Sequence, residues 1–114
     1  MPPLSLIDTD RIQSIFGEDK ADIKDFFESF FSITRELLLL LTDFIQQEDA
    51  QKTKDLLHRL KGSAANAGAI KLFELFKQAE ERAAQVNWRS LQDILPEIKN
   101  SLEHLEKEIA THYA

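Results

Sequence analysis

Cysteine is absent from the 114 residues, which excludes a disulfide framework, a thiolate zinc site and a cysteine nucleophile. Glycine and proline are scarce, three of each, and the chain is rich in Leu, Glu, Lys, Ala and Gln, so an all-α fold is expected. Long apolar runs are also missing. The longest, Leu37 to Leu41, falls far short of the roughly 20 residues that a bilayer span needs. The opening Met-Pro-Pro-Leu-Ser-Leu has neither the basic start nor the apolar stretch of a secretory leader. A cytoplasmic protein without membrane association is therefore expected. A basic balance is lacking too: the net charge is −6, which argues against nucleic acid as a partner. What is present suffices for one core, because 43% of the residues are hydrophobic. One domain over 1–114 is the expectation.

Apolar spacings divide the chain into helices. A short helix over about 9–16 is expected, capped by Asp8 and stopped by Gly17. Asp19, with Asp22 three residues on, opens a helix over about 20–47 with Ile23, Phe27, Phe30, Leu37, Leu41 and Phe44 inward. After a turn at 47–49, Asp49 caps a helix over 50–67 whose core stripe is Thr53, Leu57, Leu60, Ala64 and Ala67. A fourth helix, 69–86, turns Leu72, Phe76, Ala79, Ala83 and Val86 inward. Asn87 caps the last, 88–112, with Leu91, Leu95, Ile98, Leu102, Leu105 and Ile109 on one side. Pro96 lies inside that pattern and predicts a kink or short break. Short connections make neighbours antiparallel, giving an up-down-up-down four-helix bundle with a short additional N-terminal helix. Six of the eight phenylalanines fall between Phe16 and Phe44. Phe26, Phe31, Ile33, Leu39 and Leu40 make the second helix apolar over more than one face. Ile12, Ile15 and Phe16 of the first helix are expected to cover this surplus; any uncovered part offers a docking patch.

Chemistry concentrates in His58-Arg59-Leu60-Lys61-Gly62-Ser63-Ala64-Ala65-Asn66-Ala67-Gly68-Ala69. At about 100° per residue, the Leu57, Leu60 and Ala64 stripe points away from His58, which sets the imidazole on the outer face. Its neighbours there are Gly62 and Ala65, with Ala69 beyond if the helix continues, so bulk is missing around one exposed ring. Glycine inside a helix costs about 1 kcal/mol relative to alanine, which suggests that something must approach closely at Gly62. Lys61 and Lys54 flank His58 on the surface, at i+3 and i−4. Neutral imidazole is nucleophilic, and a lysine beside it can offset the charge of an acquired phosphoryl group. Phosphoryl transfer of this kind rests mainly on positioning and charge.

The run resembles the signature of histidine-containing phosphotransfer (HPt) domains, His-x-Leu-Lys-Gly, then small residues and Gly-Ala. It matches at His58, Leu60, Lys61, Gly62, Ser63, Gly68 and Ala69, and the helix order resembles the family along the whole chain. The resemblance implies that His58 accepts phosphate on Nε2, that Lys61 stabilises it and that Gly62 and Ala65 clear the docking face. It also implies that Glu80 orients the imidazole through Nδ1, with Lys77 one turn earlier facing the same site. Ala64 and Ala79 depart from the pattern, standing where many members have a second serine and a larger aliphatic.

The expected function is that of a phosphorelay intermediate shuttling a phosphoryl group between receiver-domain aspartates of a hybrid sensor kinase and a response regulator. No Gly-rich nucleotide loop, Gly-x-Ser-x-Gly, His-Glu-x-x-His or acidic receiver cluster occurs. A phosphocarrier without autokinase machinery is thus expected, not an enzyme. It needs no cofactor or metal of its own, Mg²⁺ belonging to the partner receiver, and is expected to be a monomer. Rival readings are a non-phosphorylated helical adaptor binding a receiver or kinase domain, and a structural bundle that dimerises through the phenylalanine-rich helix. More ordinary roles are expected for the remaining candidates. Lys54 and Lys77 read as solvated charges, Ser63 as a small helix residue and Gly68 as a helix end. His104 and His112 read as surface histidines, and Trp88 as closing one end of the bundle.

Overall fold

The computed structural model describes residues 8–17 and 19–113, and within them five helices and no strands. The opening residues, in which no leader was read, lie outside the described ones. The helices are α1 (Thr9–Phe16), α2 (Lys20–Gln46), α3 (Ala50–Ala67), α4 (Ile70–Ala84) and α5 (Trp88–His112). Four of them start on a side-chain cap. Asp8, Asp19, Asp49 and Asn87 accept from the backbone N–H of Arg11, Asp22, Lys52 and Ser90 at 3.0–3.1 Å. Such caps satisfy donors that the helix itself cannot, at about 1 kcal/mol each. The cap of α4 is Ala69, whose methyl group can accept no hydrogen bond.

Within this frame α2 packs against α3 and α5, α4 packs against α3 and α5, and α1 lies on α2. The core stripes of α3 and α5 contain every residue expected there, joined by Leu56 from α3 and by Ile94 and Ser101 from α5. In α2 the register differs. Its buried row continues from Phe30 through Phe31, Thr34, Leu38, Leu41 and Ile45, while Leu37 and Phe44 are only half-buried. Steps of seven residues drift by about 20° each on a 3.6-residue helix, so the row one residue on takes over the core.

Three other expectations give way. Helix α4 stops at Ala84, and Val86 lies beyond it, 54% exposed with φ of 53°. Its N–H donates to Ala83 and that of Asn87 to Arg82, so the tight end of the helix determines its backbone. Of the kink or short break expected at Pro96, the break is what fails: α5 runs through it as one helix. Pro96 and Gln92 are both exposed, so the Gln92 carbonyl that loses its partner is on the solvent side. In α1, Ile12 is buried and Phe16 packs against Phe26 in a tilted pair with ring centroids 5.1 Å apart, but Ile15 is half exposed. Ile33, Leu39 and Leu40 of α2 also stay exposed, so α1 covers only part of the apolar surplus.

Helix α1 is also tied to the end of α3. The Asp8 N–H donates to the Gly68 carbonyl, and Arg11 Nε donates to the Asn66 carbonyl at 3.1 Å. Gly68 ends α3 with φ of 71°, and a Cβ there would sit 3.2 Å from the Asp8 carbonyl oxygen. Both the left-handed turn and this close approach call for glycine. Trp88 is half-buried and packs on the core at the start of α5. No described helix is long and apolar enough to cross a membrane.

Candidate functional site

Leu57, Leu60 and Ala64 are fully buried on α3, and this fixes the opposite face outward. His58 stands on that face with 75% of its side chain exposed. One turn on, Gly62 and Ala65 are exposed, and a Cβ built on Gly62 would meet nothing within 4 Å. Ala69 does not extend this face. It is buried, because α3 has already turned at Gly68. On the α2 side, Phe26, Ser29, Phe30 and Ile33 form a groove with His58, Arg59, Gly62, Ser63 and Asn66. The apolar excess of α2 is therefore exposed in part where it borders the histidine. Ser29, Arg59 and Asn66 carry no comparable sequence signal and enter through packing alone.

On the α4 side the ring meets a carboxylate. Buried alanines at 64, 67, 79 and 83 keep side-chain bulk out of the α3 and α4 faces that pack together. Glu80 extends toward α3, with Oε1 3.5 Å from His58 Nδ1 and Oε2 2.9 Å from Lys61 Nζ. Lys61 and Glu80 side chains are only 25% and 27% exposed, so their charges are poorly hydrated compared with the imidazole. Burial alone pushes the Glu80 carboxyl up. Hydrogen bonding and charge from Lys61, then from His58, outweigh it and hold the group below its ordinary value of 4.5. Lys61 thus faces a carboxylate in this state, a pairing that local spacing along α3 does not reveal.

Other candidates sit further out. Lys54 and Lys77 are exposed, and among the described residues neither forms an ion pair. Ser63 is half-buried in the groove wall. His104 is exposed, whereas His112 is half-buried against the Tyr113 ring, its buried Nδ1 without a hydrogen-bond partner among the described residues. The helix end packs it more tightly than its charged sequence neighbours suggested. Among the described residues no three His, Asp or Glu side chains converge where a metal could be held.

The arrangement is that of a helical domain with one accessible histidine on a face of small residues, backed by a lysine–glutamate pair. The chain belongs to the Hpt domain family, whose pattern matches residues 25–108. That membership supports a phosphotransfer role. Among solved structures, the fold is similar to a rice protein assigned as a histidine-containing phosphotransfer protein. The TM-score is 0.76 at 18% identity, covering 96% of this chain and 80% of that one. No curated protein sequence matches significantly.

Proposed function

We propose that this protein is a phosphorelay intermediate with His58 as its phospho-acceptor. One observation carries the reading: an imidazole that is 75% exposed, beside a glycine whose missing side chain leaves open space. The domain is read as one unit over 1–114. Its α2–α5 form an antiparallel up-down-up-down bundle, as the two- and three-residue connections 68–69, 47–49 and 85–87 favour, with α1 as an added cap.

In the proposed step, the donor is the aspartyl phosphate of a receiver domain, held with its own Mg²⁺. The Nε2 lone pair forms the new N–P bond as the acyl P–O bond breaks, and the electron pair leaves with the aspartate carboxylate. The ring retains its Nδ1 proton and becomes cationic. Glu80 at Nδ1 favours the tautomer with Nε2 free to attack and offsets the positive charge that develops. Lys61 offsets the phosphoryl oxygens, and Gly62 and Ala65 admit the receiver. Donation to a response regulator runs the same steps in reverse. The chain carries phosphate between cytoplasmic proteins as a monomer and does not draw it from ATP.

Incubation with a phosphorylated receiver domain tests the reading. An acid-labile, alkali-stable phosphate is expected on the protein, and His58→Gln should abolish it while circular dichroism stays unchanged. An undiminished label in that variant rejects the site. Receiver binding with no label at all indicates the adaptor reading instead.

A further inference from the structure

Lys61 is committed before any phosphate arrives. Its ammonium lies 2.9 Å from Glu80, both side chains are about three-quarters buried, and the same carboxylate reaches the imidazole through its other oxygen. Lysine has three rotatable donors on a flexible stem, so its ammonium can swing between acceptors within its reach. A phosphoryl group on the neighbouring ring would carry more negative charge than the carboxylate does.

We propose that Glu80 is the resting counter-ion of Lys61, and that phosphorylation of His58 exchanges this partner for the phosphoryl group. The proposal rests on His58 being the acceptor. Charge is conserved at the carboxylate throughout. Before transfer, Glu80 faces the ammonium while the imidazole is neutral; afterwards it faces the Nδ1–H of a cationic ring while Lys61 faces the phosphoryl oxygens. A poorly hydrated carboxylate left without a cation in either state would be costly, and the exchange avoids this. Glu80 is then a positioning residue that restrains how strongly Lys61 stabilises phosphohistidine, keeping the group transferable in both directions. Glutamine at position 80 still accepts from Nδ1–H but releases Lys61 permanently.

A double-mutant cycle tests the exchange. Wild type, Lys61→Met, Glu80→Gln and the double variant, each checked for fold by circular dichroism, are brought to equilibrium at a fixed ratio of phosphoramidate to ammonia. In that reaction the Nε2–P bond forms, the P–N bond of phosphoramidate breaks and ammonia leaves with the electron pair. The phosphorylated fraction is read by intact mass. Lys61→Met should lower the phosphorylated-to-free ratio by less than about twofold in wild type, where leaving Glu80 offsets the gain. In the Glu80→Gln background the same substitution should lower it by about fivefold, near the upper range for a solvent-accessible ion pair. Equal losses in both backgrounds would overturn the exchange while leaving His58 as the acceptor. A wild type that takes no label at His58 removes the underlying reading and the exchange with it.

Discussion

The two faces of α3 answer to different demands. On the inner face Leu57, Leu60 and Ala64 are sealed against neighbouring helices; on the outer face His58, Gly62 and Ala65 meet solvent. A residue on the first face contributes through the contacts it makes, whereas Gly62 on the second is proposed to contribute through the contacts it leaves free. Stability and transfer should therefore separate along one helix, residue by residue.

The largest expected effect is on the inner face. Leu57→Ala should lower unfolding stability by about 3 kcal/mol in a urea titration, through lost burial and the cavity left behind. Gly62→Gln, on the outer face, should raise that stability slightly, by about 0.5 kcal/mol, because glutamine is the better helix former and its Cβ meets nothing. It should nevertheless slow phosphoryl transfer about a hundredfold by displacing the incoming domain; normal transfer rates would contradict the steric account. Between these extremes lies Gly68, where the helix ends against α1. Gly68→Ala should cost about 1–2 kcal/mol from the left-handed backbone alone, and the contact with Asp8 adds to it. A loss no larger than that backbone cost would mean that α1 is not held there, and an unchanged melting midpoint would contradict the left-handed turn itself.

A smaller effect concerns the pair joining α3 to α4. The folded-state value of Glu80 is depressed, so its contribution is fully present above the ordinary carboxylate value of 4.5 and is lost as pH falls through the lower folded value. The stability difference between wild type and Glu80→Gln should accordingly shrink as the medium is acidified below pH 4.5, and a difference independent of pH would exclude an ionic contribution. Arg35 and Glu106, which pair α2 with α5, are far more exposed, 48% and 41%, and water screens them. Removing that pair should change little.

Much of this was legible in the sequence, for reasons that stop where packing begins. Capping carboxylates at Asp8, Asp19 and Asp49 announce helices because they act within three residues of themselves. The stripe through Leu57, Leu60 and Ala64 announces the outward turn of His58 for the same reason. Over the length of α2 the reading slipped by one residue, since small angular errors accumulate along a helix. Val86 has the apolar character of a core residue, yet the helix ended before reaching it. Pro96 did not break α5 because its missing hydrogen bond falls on the solvent side.

Local periodicity alone determined that the chain is helical, where its caps lie and that one histidine faces outward among small residues. These properties depend on neighbours three or four positions apart, which the order of residues specifies directly. Only the packing of α4 on α3 decided that Glu80 sits between His58 and Lys61, and only the packing of α1 decided that Arg11 reaches Asn66. Such pairings depend on the separation and rotation of whole helices, and no spacing within a single helix encodes them.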